Sequence, residues 1–78
     1  MPTLFILFGL RFFFWSREHR PIHVHVENSD GIAKFQIDPE VILIENKGIK
    51  NKDVKIAEAI IEENREIIIE RWKEFIGE

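Results

Sequence analysis

Apolar and polar positions alternate along the first half of the chain, and a period of two is the signature of β-strands. The alternation is clearest at residues 22–27 and is repeated after the turn sequence Asn28-Ser29-Asp30-Gly31. The pair Gly9-Leu10 separates two apolar runs and is suited to a two-residue hairpin turn. The predicted strands cover residues 3–8, 11–16, 22–27, 32–38 and, as a candidate fifth, 41–45.

The second half of the chain has the periodicity of an amphipathic helix. At about 100° per residue, the apolar positions share one side and a row of glutamates takes the other. Asn51 is a candidate N-cap, Asp53 lies in the first turn, and Gly77 is a natural stop. A break near Asn64 would divide the segment into two helices. The apolar side carries Ala57, Ile61, Asn64, Ile68, Trp72 and Phe75.

These elements predict a single α+β domain over residues 1–78. Its architecture is an antiparallel β-meander of four to five strands followed by a long C-terminal helix packed on one sheet face. Alternate rings of the aromatic run 12–15 must also face the core, and the other two either contact nucleic-acid bases or are buried. The residues expected to face the helix are Ile22, Val24, Val26, Ala33, Phe35 and Ile37.

The opposite sheet face gathers the polar side chains of the same two strands. A two-residue turn at Asp30-Gly31 would place chemically complementary residues opposite one another. The resulting pairs would be Glu27–Lys34, His25–Gln36 and His23–Asp38. A four-residue loop would shift the pairs but keep the faces. Because this side lies away from the helix, we expect a surface patch that a ligand or partner can reach.

Composition limits the chemistry available to this patch. The chain has 78 residues and no cysteine, which excludes disulfides, thiol catalysis and cysteine-ligated metal centres. Its net charge is -3 and it has no basic stripe of the kind that marks many nucleic-acid-binding proteins. A cysteine-free domain of this size is expected in the cytoplasm. The apolar N-terminal run is too short to span a bilayer, so no membrane contact is predicted.

Three interpretations of the histidine-bearing patch stay open. Imidazoles titrate near neutral pH, so a pair can act as general base and general acid on RNA. That interpretation assigns catalysis to His23, His25 and His19, and binding to Arg11, Arg17, Glu27 and Lys34. The second is a divalent transition metal held by His23 and His25 with His19 or Glu27. The third assigns the patch no chemistry, because surface histidines with hydrogen-bonding neighbours are ordinary.

The run RFFFWSREHRPIHVHV at residues 11–26 resembles a family of small bacterial and archaeal proteins, domain of unknown function 4160. Gly31-Ile32-Ala33-Lys34 matches a second family motif, and Trp72 and Phe75 match aromatic positions of its terminal helix. The motif positions present here are Arg11, Ser16, Glu18, His19, Pro21, His23, His25 and Lys34. The resemblance supplies no established activity or catalytic residue. It implies a protein partner, since family members are counted among candidate toxin–antitoxin pairs, and it raises RNA cleavage or translation interference.

The predicted function is therefore a toxin–antitoxin-type module that acts through a protein partner, encoded by a neighbouring gene, and through RNA. If the chain is an enzyme, we expect a metal-independent ribonuclease without a cofactor. One alternative is a metal-binding module that uses the His-x-His strand. The other is a non-catalytic interaction subunit, with a second copy of the chain as a further candidate partner.

Overall fold

A computed structural model describes residues 3–15 and 19–77, which form a five-stranded antiparallel sheet followed by two helices. The strands are β1 (Thr3–Leu7), β2 (Leu10–Phe13), β3 (His23–Glu27), β4 (Ile32–Gln36) and β5 (Ile42–Lys47), and the helices are α1 (Asn51–Glu63) and α2 (Arg65–Ile76). The strands lie in the order β1-β2-β3-β4-β5, so each pairs with its neighbour in sequence. The α+β meander is confirmed, with the candidate fifth strand present.

The first hairpin turns one residue earlier than predicted. Phe8 and Gly9 both have left-handed backbone angles, with φ of 55° and 75°, as a two-residue turn matching the twist of a hairpin requires. Leu10 instead pairs with Leu7 and is 1% exposed. The predicted Gly9-Leu10 turn is wrong because the Leu10 side chain is needed in the core, which leaves Phe8 at the exposed tip.

The loop between β3 and β4 has four residues, 28–31, and not two. The Asn28 side-chain Oδ1 accepts hydrogen bonds from the backbone N–H groups of Asp30 (2.9 Å) and Gly31 (3.2 Å). The Asn28 N–H donates in turn to the Gly31 carbonyl at 3.1 Å. This loop shifts the register, and the pairs predicted for a two-residue turn are wrong. The observed pairs are His23–Gln36, His25–Lys34 and Glu27–Ile32.

Gly31 lies very close to the backbone at the end of β5. A Cβ atom at this position would overlap the Lys47 carbonyl oxygen and would lie 2.9 Å from the Gly48 Cα. Only glycine leaves room for this approach. The β3–β4 loop is thereby packed against the end of β5.

The predicted long helix is broken at Asn64, whose φ of -111° and ψ of 16° depart from helical values. The Asn64 side chain donates from Nδ2 to the Ile60 carbonyl at 2.8 Å, which satisfies this half-buried amide. At the start of α1, Lys50 takes the N-cap position without a side-chain hydrogen bond, so the predicted Asn51 cap is wrong. Gly77 ends α2 with a φ of 87°, as predicted.

One buried cluster joins the helices to one side of the sheet, which we call the helix face. Ile61, Ile68 and Trp72 are each 0% exposed within it. The six sheet residues expected to face the helix all belong to this cluster. Arg65, at the start of α2, adds a polar connection by donating to the Ile37 carbonyl at 2.8 Å and to the Asp38 carboxylate at 2.7 Å. Asp38 is therefore bound to the helix and does not lie opposite His23.

Across residues 3–15 and 19–77, neither helix has both the length and the apolar character needed to cross a membrane.

Candidate functional site

The second side of the sheet, which we call the histidine face, carries His23, His25, Lys34 and Gln36 on β3 and β4. Both histidines are buried, at 7% and 4% exposure. The expectation of histidines on an open surface is therefore wrong. They were predicted to be accessible because period-two patterning separates polar from apolar positions but does not show what covers the polar side.

Aromatic rings from β2 and from the segment that follows it cover His25. Phe13 pairs with His25 across β2 and β3, and their rings stack with centroids 5.5 Å apart. The indole of Trp15 stacks on the imidazole more closely, at 4.2 Å and an interplanar angle of 21°. Trp15 itself is 45% exposed. Of the two rings in the run 12–15 that do not face the helices, one is thus buried and the other forms part of the surface.

His23 has a different environment at the start of β3. Its Nδ1 lies 2.8 Å from the Pro21 carbonyl oxygen, and because a carbonyl only accepts, Nδ1 donates. The ring meets the His25 ring edge-on at 5.4 Å. It also lies 5.1 Å from the Trp72 ring of α2. The histidine face is therefore not fully separated from the helix, contrary to the sequence prediction, since Trp72 reaches the edge where β3 begins.

A pocket of about 350 Å³ opens beside His23. It is lined by His19, Arg20, Pro21, His23, Lys34, Gln36 and Ile44. Two of these side chains, Arg20 and Lys34, are cationic, two are imidazoles, and none of the described lining residues is acidic. This composition attracts an anion, and guanidinium and ammonium groups are the usual phosphate ligands of proteins. We call this cavity the cationic pocket.

A β-bulge in β5 completes the wall of the cationic pocket. Lys34 pairs with Glu45 and Phe35 pairs with Leu43, so Ile44 is an extra residue in the ladder. A bulge re-aims the side chains of the strand that carries it. It places Ile44 in the pocket wall, a position that period-two alternation does not predict.

A second, smaller pocket of about 130 Å³ lies next to the exposed indole. It is lined by Trp15, His25, Ile32, Ala33, Lys34, Glu45 and Lys47. Lys34 lines both pockets, so its side chain is shared between the cationic pocket and the pocket beside Trp15. We call this cavity the indole pocket.

Both pockets lie within a stretch of the chain that matches a known family. The model of the family described as Domain of unknown function (DUF4160) matches residues 9–73. The chain belongs to this family. No curated protein and no solved structure gives a significant match to it. The residues matched by the DUF4160 model include every described residue that lines the two pockets, whereas β1 lies outside them.

Two of the predicted binding residues of this DUF4160 domain pair with each other, away from both pockets. Arg11 Nε donates to Glu27 Oε1 at 2.7 Å, and its Nη1 donates to Thr3 Oγ1 at 2.9 Å. The Arg11 guanidinium also lies 4.0 Å from the centre of the Phe13 ring. The predicted Glu27–Lys34 pair is replaced by this ion pair. Arg17 lies outside the described residues, as do the motif positions Ser16 and Glu18.

The described part of the DUF4160 domain contains no preformed set of metal ligands of the kind that the metal-binding alternative requires. Among residues 3–15 and 19–77, no three His, Asp or Glu side chains converge closely enough to hold an ion. His19 and His23 share the cationic pocket, but Glu27 is ion-paired with Arg11.

Sequence reasoning did not select Arg20, Ile44 or Trp15 as site residues. Arg20 had a usable signal, because it lies between His19 and Pro21 in the family motif and is basic. Ile44 had no such signal, since the position of a bulge cannot be read from the uninterrupted apolar run at residues 41–44. For Trp15, the sequence left contact with bases and burial open, and the structure shows a ring that stacks on His25 and is 45% exposed.

Proposed function

We propose that this chain is a toxin–antitoxin-type module that binds RNA through the cationic pocket. The observation that carries the proposal is the lining of that pocket, in which Arg20, Lys34, His19 and His23 surround a cavity without an acidic residue among the described ones. A phosphate group suits this lining, and RNA presents one at every nucleotide. The toxin–antitoxin role rests on the family resemblance, which implies a protein partner.

The net charge of -3 does not oppose this assignment. Most of the described glutamates are on the exposed sides of α1 and α2, whereas the cationic pocket opens on the other side of the sheet. Glu45 lines the indole pocket and not the cationic pocket. Charges separated by more than the Debye length, about 8 Å at physiological ionic strength, are largely screened. A local cationic pocket can therefore attract a phosphate on a chain whose overall charge is negative.

Binding is better supported than cleavage. A general acid and a general base must both reach the scissile phosphate. His23 lines the cationic pocket, but His25 is 4% exposed and lies under the Trp15 indole. We therefore assign His25 to support of Trp15, and His23 and His19 to contact with the ligand. Ribonuclease activity would need His25 to become exposed, or His19 to act as its substitute.

The test is RNA binding followed by fluorescence anisotropy, with a short labelled single-stranded RNA of mixed sequence. Lys34→Gln should weaken binding by about ten- to a hundredfold, because a hydrogen bond to a charged group contributes about 1.5–3 kcal/mol. It should also lower the salt dependence of log affinity by about one unit of slope. The matched control is Lys52→Gln, which removes an exposed lysine from α1, and it should leave affinity and slope unchanged.

Equal losses in Lys34→Gln and Lys52→Gln would contradict the proposal, as would the absence of measurable RNA binding by the unmodified chain. The cleavage alternative is tested on the same RNA by gel electrophoresis in the presence of a chelator. Cleavage that persists with the chelator and disappears in His23→Gln would reverse our assignment of binding over catalysis.

A non-catalytic interaction subunit is the second candidate, and one observation favours it. Both edge strands expose apolar side chains, including Ile6 at 63% on β1 and Ile44 at 52% on β5. Exposed apolar strands at a sheet edge are typical surfaces for pairing with another chain. Light scattering tests a second copy directly, since a dimer has twice the chain mass of 9.3 kDa. A monomer that binds RNA as described would reject self-association.

A further inference from the structure

We propose that the outer edge of β1 pairs with β1 of a second copy of this chain, antiparallel and about a two-fold axis at Ile6. This contact is independent of RNA binding by the cationic pocket. In the part of the chain that the structure describes, β1 is the first strand of the sheet and has a neighbour on one side only. Such an edge is a template for another strand, because its outer backbone groups are unpaired.

β1 lacks the charged side chains with which many sheets protect an exposed edge. Thr3–Leu7 contains no charged residue, and its irregular pairing with β2 lies before Phe5, so residues 5–7 are regularly paired. The other edge strand, β5, carries Glu45 and Lys47 and has its bulge in the middle of the strand. Of the two edges, β1 is therefore the one suited to pairing with a further strand.

The free end of β1 presents apolar side chains on both faces of the sheet. Ile6 is 63% exposed and Leu7 is 41% exposed. Leu7 pairs with the core residue Leu10, which places Leu7 on the helix face together with the partly buried Phe5. Ile6 lies between them in the strand and therefore points to the histidine face.

The hairpin turn determines which backbone groups of β1 point outwards. Phe8 and Gly9 form a two-residue turn, so the flanking residues Leu7 and Leu10 are the pair that exchanges hydrogen bonds. Hydrogen-bonded and non-hydrogen-bonded pairs alternate along an antiparallel ladder, and the N–H and C=O of Ile6 consequently point away from β2. Both groups are then available for the two hydrogen bonds of a pair with Ile6 of a second copy.

A two-fold axis at Ile6 makes this edge complementary to itself. Ile6 meets Ile6 of the second copy on the histidine face, and Phe5 meets Leu7, and Leu7 meets Phe5, on the helix face. Contacts of this reciprocal form are the signature of a two-fold interface. Every pair is apolar and shares one face, which is the arrangement that stabilises neighbouring strands. This match favours a second copy over an unrelated protein.

The contact lies at the end of β1 that adjoins the described hairpin turn. The description of the chain begins at Thr3, and at about 3.4 Å per residue Ile6 lies about 10 Å from it. The gap in the description at residues 16–18 lies beyond Phe13, which pairs with Thr3 at the same far end. Described residues therefore border the strand segment that carries the contact.

Pairing about this axis leaves the cationic pocket outside the interface, because none of its described lining residues belongs to β1. Side chains keep their faces across paired strands. The histidine faces of the two copies would thus lie on one side of a continuous sheet with twice the five strands of a single chain. Two cationic pockets would open on the same side of the dimer.

The experiment is analytical ultracentrifugation of the protein without RNA. A contact between two short strands is small and readily reversible, so the concentration series extends to about 1 mM. The average mass should rise with concentration towards twice the chain mass of 9.3 kDa. Ile6→Lys and Ile6→Glu should each weaken association by about a hundredfold, because the axis places two like charges opposite each other.

A mixture of the two charged variants tests the position of the axis. If Ile6 meets its own copy, an Ile6→Lys chain and an Ile6→Glu chain attract each other, and the mixture should associate more strongly than either variant alone. The matched control is Ile67→Lys, which changes another isoleucine, 51% exposed on α2, and should leave association unchanged. Circular dichroism verifies that each variant retains the fold.

Cross-linking gives a second readout, since the chain contains no cysteine. Hydrogen-bonded residues of antiparallel strands have Cα atoms about 5.5 Å apart, a separation that a disulfide spans. Under mild oxidation, Ile6→Cys should form a covalent dimer on a non-reducing gel. Ile67→Cys is the control for random collision and should remain largely monomeric.

The outcomes are distinct from those of the RNA-binding test. Association that survives both charged Ile6 variants would place the contact elsewhere, at β5 or α2, and would overturn the proposal. A chain that stays monomeric throughout the series would also overturn it, as would a mixture that associates no better than its components. If the unmodified chain dimerises as expected but binds no RNA, the proposed function fails while the β1 contact stands.

Discussion

The helix face and the histidine face enclose the same central strand with different kinds of side chain. On the helix face, Val24 and Val26 are 0% exposed beneath isoleucines and Trp72. On the histidine face, His23 and His25 are nearly as buried, but beneath aromatic rings and next to two open pockets. Aliphatic and aromatic side chains together cover the centre of the sheet on the helix face, and a pocket of about 250 Å³ on that side lies at its margin, between β1 and α2. On the histidine face the cavities adjoin the central strand itself. The comparison indicates that one side of the sheet supplies stability and the other is available for binding.

The largest effect is expected from truncating a side chain on the helix face. Phe35 is 0% exposed in the core cluster, and Phe35→Ala should lower the free energy of unfolding by about 3–5 kcal/mol. Urea denaturation followed by circular dichroism measures the loss. Phe8→Ala makes the same chemical change at a residue that is 80% exposed and should cost less than about 0.5 kcal/mol. Similar losses in the two variants would refute the assignment of the core to the helix face.

The next effect concerns the contact between the β3–β4 loop and the end of β5, where Lys47 also lines the indole pocket. Gly31→Ala would push a Cβ into the backbone of Lys47 and Gly48. We expect a loss of about 1–3 kcal/mol, the usual cost of forcing extra atoms into a packed site. Thermal unfolding measures it. Gly9→Ala is an informative comparison, because no atom lies within 4 Å of its added Cβ and only the cost of its φ of 75° applies. A Gly31→Ala variant as stable as the parent would show that the two segments are not in close contact.

Replacement of His25 should have a smaller effect on stability, but it should specifically change the mobility and accessibility of the Trp15 indole. His25→Leu replaces a buried ring with an apolar side chain and should change the unfolding free energy by less than about 1.5 kcal/mol, as swaps of similar volume do. Loss of the stacked imidazole should make the indole more mobile and more accessible to a quencher such as acrylamide. Ile37→Val, in the buried cluster on the other side of the sheet, should leave Trp15 quenching unchanged. Unaltered quenching in His25→Leu would mean that the imidazole does not hold the indole.

The smallest effect is expected at the Arg11–Glu27 ion pair. The two side chains are 25% and 40% exposed, so water and salt screen their attraction. Glu27→Gln should reduce stability by about 0.2–1 kcal/mol, and the loss should shrink at high ionic strength. Glu45→Gln removes a carboxylate whose described ion pair, with the more exposed Lys47, is longer at 3.7 Å, and it should cost less still. If the stability lost in Glu27→Gln did not change with ionic strength, the pair would not be screened by solvent as its exposure predicts.

The strands, their antiparallel order and the residues on each face were available from the sequence because alternation is a local property of the chain. Residues 22–27 alternate strictly, and both the core residues and the polar residues lie on the predicted sides. The break near Asn64 was also within reach, since an amide on the apolar side of a helix needs a local partner. The register between β3 and β4 could not be predicted from the sequence. The Asp30-Gly31 pair suggested a two-residue loop, whereas the Asn28 side chain stabilises a four-residue loop.

The sequence by itself determined which chemical groups lie on the histidine face and which residues face the core. What only the tertiary structure decided is their accessibility. Trp15 stacks on His25, Trp72 reaches His23, and a bulge places Ile44 in the wall of the cationic pocket. These contacts join residues that are distant along the chain, and they depend on sheet register, bulging and the path of α2. Hydrophobic patterning carries no information about such contacts, because it assigns each side chain to a face without specifying what lies above it.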